Sequence, residues 1–287
     1  MKAPPIEYIA PASLADALRA LADNDNARVL AGGQSLVAML NMRFAFPDCL
    51  VDLNRLPELD YIREEAGVIR IGAMTRQRTV EFSPLVEARL PILREAILCV
   101  GHRQTRNRGT VGGSLCQLDP SAEIPTIATA MDAVVHVASH RGRRDIAMAD
   151  FPAGYMSPSL ASDELVEAVS LTPWGAGHGG CFVEHARRHG DFAVASVAVL
   201  LQFDSARIVS RVSVTLGGVG AAPLRVPVAE SLLMGTRAEA RDLEAASARC
   251  AEVEASGDTY APAWYRQRLA RVLALRALHT AVERARR

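Results

Sequence analysis

Ala31-Gly32-Gly33-Gln34-Ser35-Leu36 and Thr110-Val111-Gly112-Gly113-Ser114-Leu115 share one pattern, a glycine pair leading to a serine and a leucine, and each follows an apolar or basic run. Glycine reaches positive φ without steric cost and lets the main chain approach a ligand closely. Successive free N–H groups in such a turn form a concavity suited to phosphate oxygens. Two such turns in one chain point to a long diphosphate cofactor held from two sides.

Outward from the first turn, Arg28 to Ala31 reads as a short strand feeding the glycines, and Leu36 to Met42 as a helix or helical turn behind them. The amides of Gly33 to Leu36 then lie at a helix N-terminus, where an anion is favoured. Ser13 to Ala22 reads as a helix with Ser13 as N-cap and Leu14, Leu18 and Leu21 along one face. Cys49 to Leu53 and Val68 to Ile71 read as strands, and Ala73 to Phe82 as a helix.

Ahead of the second turn, Pro91 to Val100 is an apolar-rich helix, and Gly101 to Gly109 breaks the pattern as a loop carrying Arg103, Arg106 and Arg108. Those arginines either neutralise a phosphate or meet a partner, or they are a solvated loop. Beyond the turn, Asp119 or Glu123 can accept hydrogen bonds from ribose hydroxyls, or can simply cap the helix Ile124 to Met131. Ala133 to Ala138 and Leu165 to Leu171 are β-rich and would close a second small sheet, with Arg141 to Arg144 as a loop.

From Pro173 to Gly180 the chain reads as a flexible interdomain linker. Its Gly175, Gly177 and Gly180 spell a dinucleotide fingerprint, with Asp204 further on. However, Thr172-Pro173-Trp174 separates strand from glycines, and no clear helix start is marked. The apolar stretch Phe192 to Phe203, the β-rich run Ile208 to Leu216 and helices around Arg237 to Glu254 and Tyr265 to Arg286 make an α+β tail domain.

A chain of 287 residues with 49% hydrophobic residues suggests two domains. Its 32 basic and 32 acidic side chains leave no net field for nucleic acid or an anionic membrane. Met1 to Ala10 lacks a basic segment followed by an apolar core, and no run approaches the roughly 18 apolar residues of a membrane span, so a soluble cytoplasmic protein is expected. The five cysteines are scattered without a CxxC. They read as reduced, buried thiols, which leaves an organic cofactor for any redox chemistry. His185 and His189 form an i, i+4 pair better read as a solvated face than a metal site. Neither Ser35 nor Ser114 lies in a nucleophile elbow. Arg187-Arg188-His189-Gly190-Asp191-Phe192 is a charged turn or, beside a flavin, a place where Phe192 stacks and the arginines aid docking.

Ala31 to Leu36, Val51-Asp52-Leu53, Ile71-Gly72-Ala73-Met74-Thr75, Arg106 to Leu115, Asp119-Pro120 and Gly190-Asp191-Phe192 run in order over essentially the whole chain. Together they resemble the FAD-binding medium subunit of molybdenum hydroxylases, the group of carbon monoxide dehydrogenase medium chains and the flavin domain of xanthine dehydrogenase. The resemblance implies an α+β fold. A PCMH-type FAD-binding domain would span residues 1–174, with subdomains about 1–55 and 56–174. A small C-terminal flavoprotein domain with an antiparallel sheet would span 175–287.

The resemblance also implies a noncovalent FAD between the two N-terminal subdomains. Val29, Leu30, Ala31, Gly32, Gly33, Gln34, Ser35 and Leu36 would wrap the diphosphate, and Thr110, Val111, Gly112, Gly113 and Ser114 would form the second cradle. Glu123 matches a carboxylate on the ribose or adenine side, Val100 a residue beside the isoalloxazine, and Phe192 an aromatic position over the flavin. Asp119 and Leu165 complete the set. Gln34 stands where some relatives carry His, Glu123 is longer than the common Asp, and a lysine near the flavin in some relatives has no counterpart around Val183 and Glu184.

By the same resemblance, a molybdenum cofactor lies on a large partner subunit and [2Fe-2S] clusters on a small one, in a dimer of heterotrimers. Electrons pass through the clusters to FAD and on to an external acceptor, with no catalytic acid or base and no metal on this chain. Two other readings stand beside it: a self-contained FAD oxidoreductase, and a structural subunit that has lost flavin. Intact Gly32, Gly33, Gly112 and Gly113 argue against such a loss.

Overall fold

In the computed structural model, which describes residues 2–287, the chain opens with β1 (Glu7–Ile9), α1 (Leu14–Ala22), β2 (Ala27–Leu30), α2 (Leu36–Asn41) and β3 (Cys49–Asp52). Ser13 caps α1 as its sequence position suggests, its Oγ accepting the Asp16 N–H at 3.2 Å. The helix buries Ala17, Leu18 and Leu21 in one core with Cys49 and Val51. The three strands are parallel in the order β1-β3-β2. β3 is the central strand and is buried at every position, as a parallel strand covered by other elements requires. Parallel pairing brings the C-terminal ends of β2 and β3 to one edge, the side on which open α/β sheets bind ligands. The first glycine turn leaves from there.

The second subdomain runs through β4 (Ile62–Glu65), β5 (Val68–Gly72), α3 (Gln77–Phe82), α4 (Pro84–Arg89), α5 (Pro91–Cys99), α6 (Arg103–Arg108), α7 (Val111–Gln117) and α8 (Glu123–Ala130). It continues through β6 (Val134–Ser139), β7 (Gly142–Ala147), β8 (Pro152–Gly154), β9 (Ser157–Pro158) and β10 (Leu165–Leu171). Five of these strands form an antiparallel sheet in the order β4-β5-β10-β6-β7. Ile69, Ile71, Val135 and Val169 from the sheet share a core with Leu93, Ile97, Leu115 and Ile127 from the helices.

Three expectations change here. The helix placed at Ala73 begins only at Gln77, because the carbonyls of Ala73 and Thr75 are needed by the second glycine turn. The run from Gly101 to Gly109 is not all loop, since Arg103–Arg108 is helical. The segment after Arg141 is an edge strand whose exposed arginines meet carboxylates of the same subdomain, Arg143 with Glu167 at 2.9 Å and Arg144 with Glu164 at 2.8 Å. Charged edges of this kind discourage pairing with another sheet.

The C-terminal part consists of β11 (His178–His185), β12 (Ala195–Phe203), β13 (Val209–Gly217), β14 (Leu224–Arg225), α9 (Pro227–Leu233), α10 (Ala240–Arg249) and α11 (Ala263–Ala285). Its four strands are antiparallel in chain order. Side chains alternate between faces along a strand. Phe182, Ala198 and Leu200 therefore enter the core of the FAD-binding subdomain, while Cys181, Val197, Val199 and Leu201 meet α11 and the other C-terminal helices. A sheet covered on both faces explains the unbroken apolar run Val197 to Leu201 in β12.

The flexible linker expected at Pro173 to Gly180 is instead a buried Trp174, a short turn and the start of β11. Gly179 is required because a Cβ there would overlap the backbone carbonyl of Ala281 on α11. Strand β10 is thus followed by another strand, and the fingerprint-like glycines lie elsewhere, Gly175 against Gln202, Gly177 near the Phe203 carbonyl and Gly180 against Leu200 and Ile92.

Candidate functional site

The first glycine turn leaves β2 at Leu30 and enters α2 through Ser35, with Gly33 at φ +72°, a conformation that favours glycine. Among the described residues, the N–H groups of Gly32, Gly33, Gln34, Ser35 and Leu36 have no acceptor within the chain. Gly32 is buried, Gln34 and Ser35 are exposed and Gly33 and Leu36 half-exposed, so the donors from Gly33 to Leu36 lie at the surface. Such a row next to a positive-φ glycine is an anion-binding concavity.

The second turn is built differently. Thr110 is the N-cap of α7, its Oγ1 accepting from the Gly113 N–H at 3.0 Å. The N–H groups of Val111, Gly112 and Ser114 donate to the carbonyls of Thr75, Ala73 and Thr110 at 3.0, 2.8 and 3.2 Å. The expectation of a second cradle of free amides is corrected on this point. Its glycines serve close packing: a Cβ on Gly112 would lie 2.5 Å from that of Ala73, and one on Gly113 would lie 3.5 Å from that of Ala31. What the second turn presents is its surface, the Ser114 hydroxyl and the Thr110 hydroxyl hydrogen.

The two turns meet. Gly32 abuts the Arg108 carbonyl and Gly109. Arg76 spans the junction, donating to the Arg108 carbonyl at 2.5 Å and to Asn54 Oδ1 at 2.6 Å, while Asn54 Nδ2 donates to the Ala31 carbonyl at 2.9 Å. Asp52 Oδ1 holds the Asn54 N–H at 2.8 Å, and Tyr8 donates its hydroxyl to Asp52 Oδ2. Burial, and then the nearby Arg108 charge, lower the pKa of Arg76. Arg76 and Asn54 were not singled out from sequence. The polar pair Asp52 and Asn54 at the end of an apolar strand is the signal that was available.

The remaining candidates spread around this junction. Val100 follows α5, buried, with its carbonyl accepting from Arg106 at 2.9 Å. Leu165 opens β10 with its side chain in the core that contains Met74 and Ala138, so only its backbone can face a ligand. Asp119 accepts the Ser121 N–H at 2.9 Å, and burial raises its pKa. Glu123 is the first residue of α8 and buried, and its carboxyl is pushed up to about 8, by desolvation first and then by the charge of Glu184. Glu184 on β11 is itself raised to about 7 by burial.

Arg106 does not offer itself to a phosphate. It is buried, paired with Glu81 at 2.9 Å and bonded to the carbonyls of Val100 and Gly101. Arg103 and Arg108 stay exposed. Gly190, at φ +86°, sits against the His102 ring, which lays the loop of Arg187 and Arg188 over the start of α6 and leaves Phe192 exposed. Burial pushes the thiols of Cys99 and Cys116 up to about 12, so both are unreactive.

The donor set fits FAD. Outward-facing amides suit its diphosphate, the packed second turn supplies an opposing wall, and buried Val100 and exposed Phe192 offer apolar surface for a ring system. Comparison with known proteins agrees. Residues 4–174 match the family described as FAD binding domain in molybdopterin dehydrogenase, and residues 180–281 match the CO dehydrogenase flavoprotein C-terminal domain. The chain is 37% identical to the 6-hydroxypseudooxynicotine dehydrogenase complex subunit alpha of Paenarthrobacter nicotinovorans, covering 100% of this chain and 97% of that one. It is 38% identical to the nicotine 6-hydroxylase medium subunit of the same organism, over 97% and 98% of the two chains. Its fold superposes with a TM-score of 0.96, at 35% identity and 99% coverage of each chain, on a chain of carbon monoxide dehydrogenase from Hydrogenophaga pseudoflava that lacks the Mo-pyranopterin moiety of its molybdenum cofactor.

Proposed function

This chain belongs to the FAD-binding medium subunits of the molybdenum hydroxylases, and from that premise we propose how its residues serve the role. The protein is the FAD-binding, electron-transfer subunit of a multi-subunit oxidoreductase whose substrate is oxidised elsewhere in the complex. The observation that carries the site assignment is the row of unengaged amides from Gly32 to Leu36 at the C-terminal edge of a parallel sheet.

In this reading Val29 to Leu36 hold the diphosphate, with the amides of Gly33 to Leu36 as donors. Thr110 to Ser114 close the other side through packing and hydroxyl groups. Glu123 and Asp119 lie towards the sugar, Leu165 contributes backbone, Val100 flanks the ring and Phe192 covers it. FAD, when bound, supplies the redox chemistry. The chain's own residues bind and orient it, and no side chain here acts as an obligate acid or base on substrate.

The molybdenum cofactor and [2Fe-2S] clusters sit on a large and a small partner subunit, assembled as a dimer of heterotrimers in the cytoplasm. No helix among the described residues is long and apolar enough to cross a membrane. The domain division at 174/175, with subdomains about 1–55 and 56–174, belongs to the same proposal. It is supported by the turn after Trp174 and by two core clusters, one around β5 and one around β3 to which Met74, Ala138 and Leu165 of the second subdomain also contribute.

The test is an absorption spectrum of the purified chain with acid release of its chromophore, repeated on a preparation co-expressed with its neighbouring genes. Released FAD, with substrate-dependent bleaching only in the complex, is the expected result. Turnover by the single chain would replace this reading with a self-contained oxidoreductase, and absence of FAD from both preparations would leave a structural subunit.

A further inference from the structure

The edge of the C-terminal sheet is open at one point, and a guanidinium free of hydrogen bonds stands beside the opening. On β13, Val214 turns its main chain away from β12: its N–H donates to Glu230 of α9 at 2.8 Å, and its carbonyl accepts from the Val226 N–H at 2.9 Å. Towards the start of the strand the edge is closed again, where Val209 donates to the Thr236 carbonyl at 2.9 Å and accepts from the Gly235 N–H at 3.0 Å. Strand β14 covers only Thr215 and Leu216. Hydrogen bonding alternates along an antiparallel strand, so Val212 presents its N–H and C=O to the same edge as Val214. Among the described residues neither group has a partner. Val212 is itself buried, where main-chain groups are normally paired.

A cleft of about 390 Å³ lies at this gap, between the end of α8, β13 and α9. Four charged side chains line it, those of Asp132, Arg211, Arg225 and Glu230. Arg225 is fully engaged: Nε and Nη2 donate to Glu230 at 2.7 and 3.0 Å, and Nη1 donates to Asp132 at 2.7 Å. Arg211 is not. Its guanidinium lies 4.0 Å over the Trp174 ring, and its approach to Asp132, at 3.9 Å, is too long for a hydrogen bond. Stacking on the indole holds the planar fork in place and leaves its donors unused. Beside the cleft, α9 turns Val228 and Leu232 to solvent on one face, and exposed Met234 follows at the lip. A surface helix normally carries polar residues on that side, and neighbouring exposed apolar residues mark a contact surface.

We propose that this edge docks an extended acidic segment of a partner subunit, which pairs with the Val212 main chain, places a carboxylate on Arg211 and lays apolar side chains on α9. The proposal rests on the reading of this chain as one subunit of a larger assembly. An extended segment answers all three features at once: main chain for the unpaired N–H and C=O, an anionic side chain for the free guanidinium, and apolar side chains for Val228, Leu232 and Met234. Strand addition of this kind draws affinity from main-chain hydrogen bonds and specificity from the side-chain sites beside them. The carboxylate binds Arg211 through two parallel N–H donors, the arrangement a guanidinium favours. None of these residues belongs to the glycine turns, so docking here leaves the cofactor site intact.

The experiment uses the complex co-expressed with its neighbouring genes. p-Benzoylphenylalanine is placed at Met234, the complex is irradiated, and the crosslinked peptide is identified by mass spectrometry. The expected product joins this position to an acidic peptide of a partner subunit. A product joining two copies of this chain, a partner peptide without Asp or Glu, or no product overturns the proposal. In parallel, Arg211→Glu should weaken the complex at least about tenfold on dilution, because like charges then face each other, while FAD content and melting temperature stay as in wild type. An Arg211→Glu complex as tight as wild type overturns the proposal, since a merely structural role lowers the melting temperature without changing the affinity of the folded chain. If that variant fails to fold, the crosslink at Met234 decides. A wild-type chain that co-purifies with no partner overturns the subunit reading and this proposal together, whereas a complex that assembles without the crosslink overturns this proposal alone.

Discussion

Gly32 and Arg108 are in backbone contact across the two N-terminal subdomains, so close that a Cβ at position 32 would overlap the Arg108 carbonyl oxygen. The two glycine turns are therefore one structure. One turn carries the free amides and the other is the surface it is held against.

Substitutions at the four glycines should separate these roles. Gly32→Ala and Gly112→Ala face rigid neighbours, the Arg108 and Ala73 backbone, and should lower the melting temperature as well as FAD content. The double substitution Gly33→Val, Gly113→Val acts on a positive-φ turn and on the Thr110 cap, where a Cβ on Gly113 would lie 2.7 Å from Oγ1. It should weaken FAD binding by at least about tenfold, or ~1.4 kcal/mol, while circular dichroism stays native. Stoichiometric FAD in the double variant would refute the placement of the site.

Arg76 joins the turns through two acceptors at once, which suits a planar guanidinium and not an ammonium. Arg76→Ala should cost about 1.5–3 kcal/mol, the usual range for hydrogen bonds to a charged group, and release FAD more easily. Arg76→Lys should recover little of either. Urea unfolding together with FAD dissociation rates checks both effects.

The buried Arg106–Glu81 pair is structural. Burial works to raise the Glu81 carboxyl, but the hydrogen bonds and charges of Arg106 and Arg78 outweigh it and hold the pKa below the usual range. Removing Arg106 leaves the buried Glu81 carboxylate with Arg78 alone, so Arg106→Ala should cost less than the ~3–5 kcal/mol of a fully unpaired buried charge, with FAD binding lost only as folding is lost. The depressed carboxyl contributes stability above its unfolded pKa that disappears on acidification through the folded value. Glu81→Gln should therefore flatten the acid limb of the stability curve.

Glu123 and Glu184 give the opposite sign. Their raised values mean that the folded chain binds more protons than the unfolded chain between the ordinary glutamate range and about 8. Their contribution to stability is present below the unfolded pKa and is lost as pH rises through the folded values. Without FAD, wild type should melt lower at pH ~8.5 than at ~6, and Glu184→Gln should show a smaller drop. Thermal melts at the two pH values measure the difference.

Much of the site was legible because its signals are local. A strand entering Gly32-Gly33 and a helix start at Ser35 can be read from neighbouring residues, and so can the Ser13 cap of α1. Arg106 was not legible: it has the same charge and spacing as Arg103 and Arg108, yet it is buried because Glu81, far off in sequence, comes to meet it. Gly112 resembles Gly32 in sequence, but its amide is engaged by Ala73, a partner that only the path of the chain supplies.

The order of motifs along the chain was enough, through their resemblance to a known family, to give the family and the α+β architecture, and the paired glycine turns pointed to a diphosphate cofactor. Each of those depends on residues adjacent in sequence or on sums over the whole. The tertiary structure alone decided which amides stay free, which arginine is buried, that Arg76 and Asn54 tie the subdomains together, and that Glu123 and Glu184 are desolvated. Those outcomes depend on contacts between distant segments, where burial and the presence or absence of a partner set the energy of every polar group.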